Sequence, residues 1–292
     1  MPISIDYWKD KAHLVVDCAE TIIYWRGSVF ERVEGVNHFY RTALQTIRET
    51  VKWYETESMG EVRPVQANTF DLLPRWLKEP RSRRGMMGLK LESGDRAESS
   101  SNMSFSIFCD EEDPQPMGYI RLVTPSGALE RDPNAFLHTS LNLAERLTFE
   151  SGSAGYSINW DRNSDLAPSA EQYVSRIAAT YLGVEIEDPN TTLISLQNSE
   201  RPAFKRVNWI TFLGQNLTSV AGFPQFDNGV GIRVHNLPNG SAVVAGAVPH
   251  RSGDLVAYHS VGRSLAPFRV REHAALFGSD DDKSEHWLST FD

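Results

Sequence analysis

Cysteine is almost absent from this chain. The 292 residues include only Cys18 and Cys109, too few for a disulfide framework or a zinc site of clustered thiolates. We expect both thiols to be reduced and buried. Long apolar runs are missing as well, since none approaches the roughly 20 residues that span a bilayer. The first residues lack the basic segment and apolar core of a signal peptide. These absences predict a cytoplasmic protein that does not enter a membrane.

Positive charge is also in short supply. The chain has 29 Lys and Arg against 38 Asp and Glu, a formal net charge of −9. A protein that binds phosphates usually presents a basic face, so this balance disfavours direct binding to DNA or RNA. A negative surface suits solubility, and it also suits a basic protein partner. The basic stretch Arg75–Arg84 is interrupted by prolines, which predicts a solvated loop.

The motifs of common enzyme classes are missing too. The string Gly-Ser-Ala-Gly at 152–155 holds its serine out of register for a nucleophile elbow. The eight histidines form no His-Glu-x-x-His motif and no Cys/His cluster, and no phosphate-binding loop is present. We therefore expect no catalytic residue, no metal and no cofactor, and predict that the chain is not an enzyme. A hydrolase with a nonstandard site at His250 or His259 stays open as an alternative.

Helical spacing is clearest near the start of the chain. Apolar residues recur three or four positions apart between Val33 and Tyr54, which predicts a helix of about six turns. A capping box at Ser169 and Gln172 predicts the start of a second helix. Short strand-like runs separated by polar turns occur at residues 13–18, 87–91, 103–109, 117–123, 154–160 and 191–196. A Pro-Asn-Gly turn predicts a late hairpin, and a last helical patch covers about 261–277.

The order of these elements indicates the fold class. Strands come in local runs instead of alternating singly with helices, which favours an α+β fold with a mostly antiparallel sheet packed with helices. A helix followed by hairpins occurs twice in this order. We predict one α+β domain over residues 1–292 and leave open two similar halves, at about 1–130 and 131–292.

Acidic strings offer candidate contacts with a partner. The side chains are Asp110, Glu111, Glu112 and Asp113 at a strand turn, and Glu185, Glu187 and Asp188 after the capped helix. Each string alone is typical of a solvated turn. Together they predict negative loops that attract and hold a basic protein surface. Such a contact would weaken as salt rises, whereas a salt-insensitive complex would indicate an apolar anchor such as Trp76 or Phe223.

Several strings of packing residues look familiar as a set: Phe149–Trp160, the helix Ala170–Tyr181 with Leu182-Gly183, Val207–Gly214, and Tyr24-Trp25 with the helix at 29–54. This set resembles the family of type VI secretion immunity proteins over about residues 20–278. The resemblance implies an antidote that binds a toxic effector, a nuclease of the restriction-endonuclease or VRR type. It implies no catalytic residue.

We therefore predict a cytoplasmic immunity protein that neutralises a cognate type VI secretion effector by occluding its active or substrate-binding surface. The expected partner is a nuclease with a basic surface, and no direct contact with nucleic acid or membrane is expected. Two alternatives remain. A deep polar pocket with converging titratable groups would favour the hydrolase, and co-purification with the secretion apparatus would favour an adaptor component of that machinery.

Overall fold

One large sheet organises the chain. The structure is a computed structural model that describes residues 5–9, 12–59, 61–79, 85–95, 99–160, 167–221, 226, 230–273, 276 and 281–292. In this part of the chain the sheet has twelve strands: β1 (Tyr7–Lys9), β2 (Ala12–Arg26), β3 (Trp53–Thr56), β4 (Arg63–Pro64), β5 (Met86–Glu92), β6 (Ser104–Asp110), β7 (Met117–Pro125), β8 (Ser151–Trp160), β9 (Glu185–Ile186), β10 (Ile210–Gly214), β11 (Arg233–Leu237) and β12 (Gly240–Val244).

The strands pair in the order β11-β12-β10-β8-β2-β7-β6-β5-β3-β4, with β1 added beside β2 and β9 beside β8. Among the described strands every pairing is antiparallel except that of β8 with β9. The fold is therefore α+β with a mostly antiparallel sheet, as the order of elements predicts. The long strands β2 and β8 pair at the centre, so strands from both suggested halves form one sheet. The similarity of those halves stays a prediction.

Nine α-helices accompany the sheet in the described ranges: α1 (Val33–Ile47), α2 (Leu72–Trp76), α3 (Ser126–Arg131), α4 (Pro133–Ala144), α5 (Ala167–Thr180), α6 (Pro189–Gln197), α7 (Gln215–Ala221), α8 (Val256–Leu265) and α9 (Asp281–Leu288). None of these helices combines the length and the apolar character that crossing a bilayer requires. Both cysteines are free and buried.

The two faces of the sheet differ because successive strand residues point in opposite directions. Along β6, Phe105 and its alternate neighbours are buried, and the rings of Phe39 and Tyr40 on α1 lie 6.4 and 5.0 Å from the Phe105 ring. This side is the helical face. Phe108 projects to the other side and is only half-buried. Toward the middle of the sheet that other side is covered by Leu193 and Leu196 of α6, which belong to a second apolar cluster with Ile22 and Tyr24.

The first predicted helix is shorter than its apolar spacing indicates. It ends at Ile47, and Tyr54 belongs to β3. At this end the Ile47 carbonyl accepts from the hydroxyl of Thr50 over 2.7 Å and from the backbone N–H groups of Thr50 and Val51, which satisfies a terminal acceptor. Val51 is nevertheless buried, so the apolar period continues past the end of the helix.

Two segments predicted as strand or left unassigned are helices. Residues 191–196 lie in α6 and residues 136–144 in α4. Each helix begins with a proline at its first position after an aspartate, and Asp132 and Asp188 accept hydrogen bonds from the backbone N–H of Ala135 and Thr191. An aspartate N-cap followed by proline is a helix start signal. The capping box at Ser169 is also wrong, because α5 already includes Ala167.

Candidate partner-binding site

The acidic string at 110–113 is divided between the two faces of the sheet. Asp110 ends β6 on the same side as Phe108, where its side chain is half-buried. Glu111 turns to the helical face and is 8% exposed, whereas Glu112 is exposed again. The period of two along a strand explains this alternation. Asp113 is half-buried in the turn, and its carboxylate accepts from the backbone of Gln115 over 2.7 Å.

Glu111 is occupied inside the protein. Its carboxylate accepts from the hydroxyl of Ser28 and the backbone N–H of Val29, both at 2.7 Å. The thiol of Cys109 also donates to it, over 3.1 Å. Burial, together with this neighbouring carboxylate, raises the pKa of the Cys109 thiol. Glu111 therefore holds the turn before α1 against the sheet, and it does not lie on an exposed loop as the sequence predicts.

The second acidic string is internal throughout. Glu185 and Glu187 are 1% and 3% exposed. The ammonium of Lys205 lies 2.8 Å from Glu185 and 3.2 Å from Glu187, and it donates to the Ile186 carbonyl over 2.6 Å. The hydroxyl of Tyr24 donates to Glu187 over 2.8 Å. These carboxylates cross-link the sheet to the segment before β10, which is the opposite of the solvated loop that we expected.

Asp188 belongs to the same internal arrangement. It is 8% exposed and caps α6 through the backbone N–H and hydroxyl of Thr191, over 3.3 and 2.5 Å. Thr192, in the first turn of α6, donates to Glu187 over 2.8 Å. Burial raises the pKa of Glu185. Burial also opposes the charge of Lys205, but the carboxylates of Glu185 and Glu187 outweigh it and raise the Lys205 pKa.

A second buried network lies beside the first. Arg121 on β7 donates to Glu20 on β2 over 2.6 Å and to Asn159 on β8 over 3.1 Å. Asn159 in turn donates to the Ser101 carbonyl over 2.7 Å. Burial raises the pKa of Glu20 to about 7, although Arg121 acts in the opposite direction. Three adjacent strands are thus joined by buried polar side chains, of which Glu20 and Arg121 are ionisable.

Arg206 anchors the end of the chain to this region. It donates to the carbonyls of Trp287 and Leu182 over 3.0 and 2.6 Å. Its guanidinium stacks on the rings of Trp287 and Phe291, at 4.2 and 4.4 Å from their centroids. Burial lowers the pKa of Arg206 to about 10. The neighbouring Lys205 and Arg206 therefore serve packing, and neither is presented to solvent.

The cavity between these charged groups is small. It is lined by Tyr24, Ser151, Gly152, Ser153, Glu185, Glu187, Lys205 and Arg206, and its free volume is about 10 Å³. That volume holds about one water molecule, whereas a small-molecule site typically needs about 300 Å³ or more. The converging titratable groups thus lack the space for a substrate. Among the described residues no group of three or more His, Cys, Asp or Glu side chains is placed to hold a metal ion.

The two histidines of the hydrolase alternative have contacts that belong to the fold. The ring of His259 on α8 meets the ring of Phe291 edge-on, with 5.1 Å between centroids. The backbone N–H of His250 donates to the Tyr258 hydroxyl over 3.3 Å. The Gly-Ser-Ala-Gly string lies inside β8, where every residue is buried. These positions do not favour a hydrolytic site.

An uncovered part of the sheet lies at its other side, next to the acidic turn. Its side chains, here called the open face, are Glu55, Glu57, Met86, Lys90, Ser106, Phe108, Asp110, Glu112 and Asp113. All of them are exposed or half-buried, whereas the alternate residues Met87, Leu89, Phe105 and Ile107 are buried. Met86 is 48% exposed. The open face is therefore one side of β3, β5 and β6, and it extends into the β6–β7 turn.

An aromatic row forms the floor of the open face. Phe108 pairs with Tyr119 across β6 and β7, and their rings stack at 6.2 Å. Tyr119 pairs with Tyr24 on β2, at 6.1 Å between rings. On the outer side Phe108 pairs with Gly88, and a Cβ at Gly88 would lie 2.4 Å from Cγ of Glu57. The glycine thus leaves room for the Glu57 side chain to lie across the sheet.

The comparison with known families decides what this chain is related to. The model of the TsiV family, described as type VI immunity for VRR-NUC, matches residues 32–291. The chain belongs to the TsiV family. The resemblance that residues 149–160 and 207–214 carry is therefore confirmed. No curated protein matches this TsiV chain in sequence.

A solved structure shares the fold of this TsiV protein. A Pseudomonas aeruginosa protein described as a T6SS protein superposes with a TM-score of 0.84 at 18% identity, over 100% of this chain and 88% of the other. The two strings behind the family resemblance are neighbours in the fold, since β10 pairs with β8 from Ile210↔Ala154 to Leu213↔Ser151. Gly155 meets Asn208 there, because a Cβ at Gly155 would lie 2.4 Å from Asn208 Oδ1.

Sequence reasoning placed Asp110, Glu112 and Asp113 at the surface but missed the rest of the open face. Glu55 and Glu57 come from a segment that the apolar spacing assigned partly to a helix, and Phe108 and Met86 have ordinary strand patterns. Trp76 is 5% exposed, so its ring is not available as an anchor. Phe223 and residues 80–84 of the basic stretch lie outside the described residues.

Proposed function

We propose that this chain neutralises a VRR-NUC nuclease of a type VI secretion system by binding to it in the cytosol. The match of the TsiV family model over residues 32–291 carries this proposal. In support of a role without a substrate, the cavity between Glu185, Glu187 and Lys205 has room for about one water molecule. We propose inhibition by occlusion of the active or substrate-binding surface of the nuclease, without catalysis by this chain.

The partner chemistry follows from what a nuclease must do. A protein that cleaves DNA binds phosphates, and phosphate binding draws on Lys and Arg side chains. The net charge of −9 makes this chain a suitable counterpart for such a surface. Opposite net charge raises the rate of association and helps to exclude wrong partners.

Co-expression tests the proposal. A candidate cognate VRR-NUC nuclease is expressed in a bacterial host, with and without this chain, and growth is measured. We expect growth to be restored only when the chain is present, and a pull-down to recover both proteins together. A failure to form any complex at micromolar concentration would exclude the proposed function.

A titration separates occlusion from catalysis. Purified nuclease at a fixed concentration receives increasing amounts of this chain, and cleavage of a labelled DNA is followed. Occlusion by a tight complex predicts an end point near one chain per nuclease. Complete inactivation by far less than one chain per nuclease would instead show turnover, and the protein would be an enzyme.

A further inference from the structure

The open face differs from a solvated sheet surface in its centre. Phe108 and Met86 place apolar area in the middle of the face, and Met86 is 48% exposed. The stacked ring of Tyr119 supports Phe108 from below, and Leu193 and Leu196 pack against the same apolar cluster. Rigid aromatic side chains lose little conformational freedom on binding, and binding energy concentrates on such central anchors.

The rim of the open face carries mostly negative charge. Glu55, Glu57, Asp110, Glu112 and Asp113 contribute five carboxylates, none of which pairs with a cation within the described residues. The ammonium of Lys90 lies 3.2 Å from the carboxylate of the buried Glu92. Burial is the larger cause of the raised pKa of Glu57 and repulsion by the nearby Glu55 the smaller one. A cationic partner would relieve this repulsion.

The opposite end of the sheet offers a contrasting surface. The edge strand β11 exposes Val234 to 41%, but Arg233 stands beside it. Burial, with Arg233 and His138 nearby, lowers the pKa of His235 on the same strand. Like charge would oppose a cation-rich partner at this edge. Charge thus distinguishes the open face from the exposed apolar site on β11.

We propose that the open face is the surface on which this chain receives the phosphate-binding side of the nuclease. This inference rests on the proposed function and adds the location and chemistry of the contact. Phe108 and Met86 supply the apolar centre, and the five carboxylates take the place of DNA phosphates against Lys and Arg of the partner. The chain then blocks DNA binding by occupying the same cationic groups.

Matched triple variants test the location. The first combines Asp110→Asn, Glu112→Gln and Asp113→Asn, which keeps side-chain oxygens for the bonds from the Glu112 and Gln115 N–H groups. The second combines Glu34→Gln, Glu49→Gln and Glu145→Gln, three exposed carboxylates on and after α1 and α4. Both change net charge equally. The probe is a catalytically inactive form of the VRR-NUC nuclease that the co-expression experiment identifies as the partner.

We expect the first triple to weaken binding about tenfold or more and to flatten the dependence of Kd on salt, and the second to change Kd less than about twofold. Met86→Lys, at an exposed position, should weaken binding without a change in thermal stability. Equal effects of both triples would overturn the proposal, because binding would then depend on the net charge of the chain and not on the carboxylates of the open face. If all open-face variants bind normally, the location is overturned but the proposed function stands. If the wild-type protein does not bind the nuclease, both the location and the proposed function are overturned.

Competition tests the chemistry. Labelled duplex DNA is bound to the inactive nuclease, and wild-type chain is added. The proposal predicts that the chain displaces the DNA and that the open-face triple requires about ten times more protein to do so. A stable complex of DNA, nuclease and this chain would overturn the assignment to the phosphate-binding side.

Discussion

Two acidic strings that look alike in the sequence have opposite roles in the structure. Glu185 and Glu187 are buried against Lys205 and join the sheet to the segment before β10. Glu112 is exposed, and Asp110 is half-buried on the open face. The difference lies in the tertiary contacts of each string. Glu185 can be buried because it pairs with Lys205, which is 20 residues further along the chain. An acidic string in the sequence can therefore be either buried or exposed, and only the tertiary structure shows whether its carboxylates can contact a partner.

The largest expected effect is the loss of the buried cation. Lys205→Met leaves Glu185 and Glu187 without their partner in a site that water does not reach, and breaking a buried pair costs about 3–5 kcal/mol. Lys52→Met is a matched control, since Lys52 also lies 2.8 Å from its partner Asp95, but the two side chains are 54% and 92% exposed. Its expected cost is below about 1 kcal/mol. Urea denaturation measures both, and equal losses would contradict the division into internal and surface strings.

The pH dependence of the free energy of unfolding tests the burial of Glu20. Burial raises its pKa in the folded state to about 7, from 4.5. Between these values the unfolded chain releases its proton and the folded chain keeps it, so stability falls as pH rises from about 4.5 to about 7. Each pKa unit corresponds to about 1.4 kcal/mol. Glu20→Gln removes this group, and urea denaturation from pH 5 to 7 should show a shallower fall than in the wild type.

Part of that fall should persist in Glu20→Gln, because burial also raises the pKa of Glu185. Glu49→Gln, at an exposed position, serves as the control and should keep the wild-type slope. An unchanged slope in Glu20→Gln would show that Arg121 keeps Glu20 ionised in the folded protein at every pH tested.

Neighbouring residues give a finer comparison. Glu111→Ala removes the acceptor for Ser28 and Val29, and buried donors without a partner cost about 1–3 kcal/mol. Glu112→Ala, one residue later and exposed, should stay within about 0.5 kcal/mol of the wild type. Thermal and urea unfolding would both report the difference. Similar losses at the two positions would contradict the placement of Glu111 inside the protein and of Glu112 at its surface.

Much of the fold could be predicted because its signals are local. Apart from residues 191–196, which are helical, the strand runs, the Pro-Asn-Gly hairpin and the α+β class follow from alternation and turn residues and are present. Some local signals misled at residues 191–196, at Ser169 and at the end of α1, and the other failures were long-range. Nothing near Lys205 marks it as the partner of Glu185, and the polar tail of the chain gives little sign that Trp287 and Phe291 pack against Arg206.

The open face too could be predicted only where its signals are local. Alternation along a strand could have separated Asp110 from Glu111, since the two point to opposite faces once residues 104–110 are assigned as a strand. The contribution of Glu55 and Glu57 could not be seen, because it depends on β3 pairing with β5 after a helix that ends earlier than its apolar spacing indicates.

The smallest expected effect on stability belongs to the open-face triple Asp110→Asn, Glu112→Gln and Asp113→Asn. The substituted side chains retain an oxygen for the turn bonds, and removing mutual repulsion among surface carboxylates offsets any loss. The midpoint of thermal unfolding should stay within about 2 °C of the wild type, although binding to the nuclease weakens. A large loss of stability would assign these carboxylates to the fold, as for Glu185 and Glu187. Unchanged stability with weaker binding would identify the open face as a surface maintained for the partner.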